Sequence, residues 1–269
     1  MIAGVSTASL TESDAVQNAS GTLTATDVDG TANLFTAQTN VSGTNSYGKF
    51  SLTTAGAWTY TMDSAQNQFV GGQTYTDSFT AAAADGTTQL VTVTITGTND
   101  AAIISGVSTA SLTESDAIQN ANGTLTATDV DGTANLFTAR TDVAGTSGYG
   151  KFTLTTAGAW TYTMDAAQNQ FLGGQSYTDS FTAAAADGTT QIVTVTITGT
   201  NDAAVIAGVS TASLTESDAS QNANGTLTST DVDGTANLFA AQANVSGTNN
   251  FGKFTLTTAG AWTYTMDSA

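Results

Sequence analysis

The sequence repeats itself, and that constrains the fold more than any other feature. Leu10, Leu112 and Leu214 stand 102 residues apart. So do Trp58, Trp160 and Trp262, and the Asp-Val-Asp-Gly runs at 27–30, 129–132 and 231–234. Residues 2–102 align with 104–204 without a gap. The differences are mild, such as Val16 against Ile118, Val70 against Leu172 and Leu90 against Ile192. A period near 100 residues is too long for a solenoid turn and has the size of a sandwich domain. The chain therefore divides into tandem units at 1–102, 103–204 and 205–269. The third is expected to be incomplete, ending before its C-terminal strands, as in a fragment. It should be the least stable part, with one sheet edge exposed.

Within a unit the hydrophobic period is two. Leu90, Val91, Val93 and Ile95 are interleaved with Thr92, Thr94 and Thr96, and Trp58, Tyr60 and Met62 alternate with Thr59 and Thr61. Phe50 and Leu52 flank Ser51 in the same way. Further strands are expected over 3–11, 20–27, 33–39 and 74–84, with one helical turn over 64–69. Turn signals separate them at Gly30, Gly43, Gly56, Gly71-Gly72 and Asp85-Gly86. About seven short strands per unit predict an all-β chain of tandem β-sandwiches. A short linker at Gly97–Ala102, repeated at 199–204, should keep neighbouring units close.

Composition narrows the chemistry. The chain has 22 acidic and 4 basic residues, a net charge of -18, and no His, Cys or Pro. Disulfides, thiol nucleophiles, imidazole bases and His- or Cys-ligated metals are excluded. Such an acidic surface repels phosphate backbones, so no nucleic-acid partner is expected. No apolar run is long enough to span a membrane as a helix, and residues 1–10 carry no secretory signal pattern. What remains is an all-oxygen ligand set, suited to calcium.

The acids concentrate at strand ends and turns, almost none beside a base. In Asp27-Val28-Asp29-Gly30, carboxylates two residues apart on a turning backbone can converge on one ion. The loop is not an EF-hand, because Thr31 and Gln38 stand where that loop needs a third ligand and a Glu. Taken alone, the run also reads as a solvated acidic turn.

Several segments carry a resemblance. They are Gly21 to Asp29 (GTLTATDVD), Gly56-Ala57-Trp58-Thr59-Tyr60, Asp77-Ser78-Phe79-Thr80, Asp85-Gly86-Thr87, and the closing Val93 to Asp100 (VTITGTND). Together they resemble a VCBS repeat, a cadherin-like domain of large bacterial surface and biofilm adhesins. Asn-Asp-Ala-Ala at 99–102 and 201–204 departs from the family's usual Asn-Asp-Ala-Pro. The resemblance implies non-enzymatic spacer repeats of a secreted, RTX-type cell-surface adhesin exported by type I secretion and stiffened by calcium between neighbouring repeats. Host or matrix glycans would be met through other domains. Cadherin junctions, carried over residue by residue, imply a first set of Glu12, Asp63, Asn99, Asp100, Asp129, Asp131 and Asp187. The second set is Glu114, Asp165, Asn201, Asp202, Asp231 and Asp233. Asp27, Asp29 and Asp85 are the equivalent positions in unit one. Ala65 stands where cadherins have a further Glu, so fewer ions per junction are expected.

The alternative function is a carbohydrate- or partner-binding module. Trp58 and its copies could stack on sugars, but they share the inward parity of Tyr60 and Met62, which assigns them to the core. Tyr47 and Phe251, in a loop, are the better contact candidates. Lys49, Lys151 and Lys253 recur once per unit and could form isopeptide crosslinks, but their parity points them to solvent. Adjacent carboxylates could serve a glycosidase. Their place in turns, without an aromatic cleft and in tandem copies, argues against one. The Thr rows need no ice-binding role, since strand alternation explains them.

Overall fold

A computed structural model describes residues 1–30, 33–132, 135–234 and 237–267. Thr31, the fifth position of the acidic loop, lies outside them. Unit one has eight strands: β1 (Ile2–Gly4), β2 (Thr7–Thr11), β3 (Asn18–Ala25), β4 (Gln38–Ser42), β5 (Gly48–Leu52), β6 (Ala57–Met62), β7 (Thr74–Ala82) and β8 (Thr88–Thr96). They form a five-stranded sheet, β1-β3-β6-β5-β4, and a three-stranded sheet, β2-β8-β7. Unit two repeats the plan. Its strands are β9 (Ile103–Gly106), β10 (Thr109–Thr113), β11 (Asn120–Thr128), β12 (Arg140–Ala144), β13 (Gly150–Leu154), β14 (Ala159–Met164), β15 (Ser176–Ala184) and β16 (Thr190–Thr198). Its sheets are β9-β11-β14-β13-β12 and β10-β16-β15. Among the described residues no helix is long and apolar enough to cross a membrane.

The alternating pattern builds the core as expected. Trp58, Tyr60 and Met62 point inward and Thr59 and Thr61 outward. Val91, Val93 and Ile95 of β8 face them with no exposed surface. Each such buried aliphatic or aromatic side chain stabilises by roughly 1.5–3 kcal/mol. Trp58 lies over Gly21, its register partner on β3, where a Cβ would stand 2.7 Å from the indole. Its indole nitrogen donates to Val5 O at 2.7 Å. Ala102 packs into the core of unit two.

Three local expectations change. The stretch 3–11 is two strands in opposite sheets. Gly4 turns the chain between them at φ 100°, with its α-carbon so near the Thr22 carbonyl that a Cβ would collide with it. Over 33–39 only an isolated bridge, Phe35 to Ala83, precedes β4. In 64–69 Gln66 adopts φ 63°, outside the helical region, and the segment closes as a turn with Phe69 N donating to Gln66 O.

Unit three contains β17 (Val205–Gly208), β18 (Asn222–Thr230), β19 (Gln242–Ser246), β20 (Gly252–Leu256) and β21 (Ala261–Met266) in one sheet, β17-β18-β21-β20-β19. Its Thr211–Thr215 has the same sequence, TASLT, as β2 and β10 but forms no strand. In units one and two this segment pairs in parallel with β8 or β16. Residues 205–269 hold no equivalent of that partner, so the strand depends on pairing rather than on its own sequence.

One buried carboxylate per complete unit ties the two sheets together. Asp77 of β7 has no exposed surface. Its Oδ1 accepts from Asn45 N at 2.9 Å and Ser78 N at 3.1 Å. Its Oδ2 accepts from Tyr47 N and Gly48 N at 3.1 Å and from the Tyr60 hydroxyl at 3.3 Å. Asp179 meets Ser147, Ser180, Tyr149, Gly150 and Tyr162 in the same way. Burial, and then the facing Asp77, push the Tyr60 hydroxyl far above its ordinary value. Asp77→Ala strands several buried donors and is expected to cost roughly 3 kcal/mol or more in urea unfolding. Asp63→Ala, which removes a solvent-exposed ion pair, is expected to cost less than about 1 kcal/mol in the same measurement.

Candidate metal centre

The site forms where β8 runs into the linker beside the end of β2. Glu12 N donates to Thr96 O at 2.8 Å, which holds the acid at the mouth of unit one. The Glu12 side chain is 1% exposed. Its Oε2 accepts from Thr98 N at 3.1 Å and Thr98 Oγ1 at 2.5 Å, whereas Oε1 is buried with no hydrogen-bond partner. Asp100 Oδ2 is likewise buried and unpartnered.

Unit two meets these groups with its own acids. Asp131 Oδ1 accepts from Asp100 N at 3.2 Å, and Oδ2 accepts from Gly71 N at 3.3 Å. Asp187 Oδ2 accepts from Ala102 N at 2.8 Å. An open cleft of about 460 Å³ lies between the units, lined by Gly71, Asn99, Asp129, Asp131 and Asp187 among others. Docking changes the second Asp of the Asp-x-Asp pair. Asp131 and Asp233, which face the linker of the unit before, are 5% and 6% exposed, while Asp29 is exposed.

Crowding of like charges marks the junction. Burial pushes the Asp100 carboxyl above its ordinary value, and Glu12, Asp14 and Asp131 push it further. Asp129 is raised by burial and by Asp131 beside it. Burial also pushes Asp187 upward, but bonds donated by Ala102 N, the Thr189 hydroxyl and Thr189 N outweigh it and hold the carboxyl below the usual range.

The second junction repeats the arrangement. Glu114 Oε2 accepts from Thr200 N at 3.0 Å and Thr200 Oγ1 at 2.6 Å, and Asp202 N donates to Asp233 Oδ1 at 3.2 Å. Glu114 Oε1, Asp202 Oδ2 and Asp231 Oδ1 are buried without partners. Asp202 is raised by burial and then by Glu114, Asp116 and Asp233. Asn99 and Asn201 are exposed and donate to the carbonyls of Asp100 and Asp202 at 2.9 and 2.8 Å.

Not every sequence candidate comes to the junction in the same way. Asp63 and Asp165 face Lys49 and Lys151, at 3.5 and 3.7 Å, on exposed surface. Asp27 and Asp85 border a shallow cleft with Met1 and Asn33 at the opposite end of unit one. There, bonds from Thr87 N and the Thr87 hydroxyl hold Asp85 below its ordinary value. Asp14 and Asp116 were missed. Each acts on the linker Asp of its junction, and each also accepts from an Asn side chain, Asn67 or Asn169. The signal was present in Glu12-Ser13-Asp14, which has the same two-residue spacing as Asp27 and Asp29. Among the described residues, no three carboxylates are already gathered closely enough to hold an ion.

The model of the bacterial cadherin-like domain matches residues 2–97 and 99–199. The chain belongs to the bacterial cadherin-like domain family. Domains of this kind are adhesion-related structural modules rather than enzymes, they are generally extracellular, and they typically bind calcium. The chain is similar to the protocadherin gammaB7 EC3-6 cis-dimer structure at 15% identity and TM-score 0.49, covering 98% of this chain and 64% of that one. For mouse cadherin-23 EC22-24 the values are 14% and 0.48, covering 98% and 86%. For the protocadherin gammaB4 extracellular domain they are 14% and 0.46, with 98% of this chain but 42% of that one covered. No curated protein matches the sequence.

The raised carboxyls give the junction a pH dependence when calcium is chelated. A carboxyl raised in the docked state contributes stability that is fully present below the ordinary aspartate value, about 3.9. That contribution is lost as pH rises through the raised value. With chelator, acidification from about pH 7 to about pH 4.5 is expected to narrow the spread of inter-unit distances between spin labels on units one and two. Asp100→Asn is expected to produce the narrowed distribution at the higher pH already.

Proposed function

We propose that the chain is a run of calcium-stiffened spacer repeats from a secreted bacterial cell-surface adhesin that supports attachment or biofilm formation. The carrying observation is the pair of buried, unpartnered carboxylate oxygens on Glu12 and Asp100, repeated on Glu114 and Asp202. A buried carboxylate oxygen without a donor is costly unless a cation meets it. The chain's own bases do not serve, since Lys49, Lys151 and Lys253 pair with Asp63, Asp165 and Asp267 and Arg140 stands exposed on β12. The remaining donors are all oxygen, as calcium prefers.

In this reading Glu12, Asp14, Asn99, Asp100, Asp129, Asp131 and Asp187 hold calcium at the first junction. Glu114, Asp116, Asn201, Asp202, Asp231 and Asp233 hold it at the second. Bound calcium supplies positive charge that both sides of a junction share. It thereby converts a short Gly/Thr/Asn linker into a fixed joint. Extracellular modules of this kind bind calcium at about 10⁻⁴–10⁻³ M, so the array is limp where calcium is scarce and stiff outside the cell. Repeats this similar suit a spacer, because adding copies changes length and little else. The modular division at 1–102, 103–204 and 205–269 and the type I route belong to the same proposal.

Small-angle scattering checks it. Adding calcium is expected to raise the maximum dimension and sharpen the pair-distance distribution, with unchanged strand content by circular dichroism. Asp131→Asn combined with Asp100→Asn is expected to weaken calcium binding at the first junction roughly tenfold or more by titration calorimetry. Identical scattering in calcium and in chelator would sink the proposal.

A further inference from the structure

Glutamate is rare in this chain. It occurs at 12, 114 and 216, and the other 19 acids are aspartates. At the two junctions each buried glutamate is held by a single threonine. Thr98 N and Thr98 Oγ1 donate to the same oxygen, Oε2 of Glu12, at 3.1 and 2.5 Å, and Oε1 is left without a partner. Thr200 N and Oγ1 do the same to Glu114 at 3.0 and 2.6 Å, again leaving Oε1 bare. A carboxylate oxygen has two in-plane lone pairs, and two donors occupy both. Oε1 is therefore the one oxygen that each glutamate still has to offer.

The clamp is fixed at both ends. Glu12 N donates to Thr96 O and Glu114 N to Thr198 O, each at 2.8 Å. Gly97, the residue before Thr98, is buried against the turn at 69–73. Its N donates to Gln73 O and its O accepts from Gly72 N, both at 2.9 Å, and a Cβ there would stand 2.6 Å from Phe69 O. Gly199 is tied in the same way to Gln175 O and Gly174 N. Each glycine thus sets where its threonine begins. Thr98 and Thr200 are themselves only half-buried. Their hydroxyls, pointed at a carboxylate, distinguish them from core-filling residues of the same shape.

We propose that Thr98 and Thr200 are positioning residues that confine Glu12 and Glu114 to binding the junction cation through one oxygen. This inference rests on the calcium joint proposed above. A free glutamate can chelate an ion with both oxygens or swing between the two modes. Here the threonine holds one oxygen and aims the other, so the carboxylate meets the ion in a set orientation. Donors behind a ligating carboxylate are part of a metal site, and losing one lowers affinity although no ligand is removed. The second oxygen of a chelating carboxylate closes a strained four-membered ring and adds little. The lost orientation therefore dominates when the hydroxyl is deleted.

The scarcity of glutamate makes the test clean. The full chain carrying Glu216→Gln, with ¹³C at the glutamate side-chain carboxyl, sets Glu12 and Glu114 apart from every aspartate in the infrared. Binding through one oxygen makes the two C–O bonds unequal and spreads the antisymmetric and symmetric stretches, whereas binding through both draws them together. Calcium is expected to spread the labelled stretches. Thr98→Val with Thr200→Val is expected to abolish that spread and to weaken calcium binding about tenfold by titration calorimetry. Thr98→Ser with Thr200→Ser keeps the hydroxyls and is expected to retain both properties. A merely structural threonine would shift the urea midpoint and leave the calcium-bound stretches as they were. Labelled stretches that draw together or stay put in the parent, a valine pair that binds as the parent does, or a serine pair that behaves as the valine pair would each overturn this inference while calcium binding stands. A chain that shows neither calcium heat nor a scattering change would overturn the calcium joint and this inference with it.

Discussion

A five-stranded sheet lined on one side by Trp, Tyr, Phe, Leu and Met must have that side covered, and the rest of this structure follows from how the covering is done. In units one and two the cover is a single hairpin that also captures the short strand after Gly4 in parallel register. The apolar layer sets the distance between the sheets. The buried Asp of the hairpin then fixes their offset, because its two oxygens meet donors that belong to one turn of the opposite sheet. Apolar contact alone tolerates sliding, whereas a carboxylate with five directional partners does not. Unit three shows the converse. With a closely similar sheet sequence but no covering hairpin within residues 205–269, its TASLT segment is unpaired and Phe254 is exposed.

The two kinds of buried acid in this chain face opposite electrostatic conditions. Asp77 and Asp179 are surrounded by donors and are structural. Asp100, Asp131 and their copies lie among other carboxylates at the unit boundary, where burial and mutual repulsion raise Asp100 and Asp202. The first arrangement stabilises a domain by itself. The second is a cost within a metal-free chain, and it becomes favourable when a cation is shared across the boundary. Fold and joint can thus be controlled separately, since nothing in the hairpin's carboxylate site depends on the linker.

Much of this was legible in the sequence because it rests on period. The 102-residue recurrence gave the array, and the Thr alternation gave the inward set, including Trp58, Tyr60 and Met62. What escaped depended on three-dimensional register. Asp77 shares the inward parity of Phe79 and Ala81, so its burial could be read, but its partners come from a turn about 30 residues earlier. The division of 3–11 between two sheets rests on a left-handed Gly4 inside an apparently continuous strand pattern. Lys49 reaches Asp63 because β5 pairs with β6 through Gly48↔Met62, a register that spacing alone leaves open. Asp14 lies outside the set the family resemblance implies, and although its spacing from Glu12 matches the Asp-x-Asp pairs, only the fold brings it to Asp100.

The parallel pairing of β2 with β8 has a mechanical consequence. These strands stand near the start and the end of the unit, and Thr7 to Thr11 run alongside Thr92 to Thr96 in the same direction. Tension applied along the chain pulls the two strands past each other lengthwise. Their inter-strand hydrogen bonds are then loaded together in shear rather than opened one at a time like a zipper. A string of such units would resist stretching cooperatively.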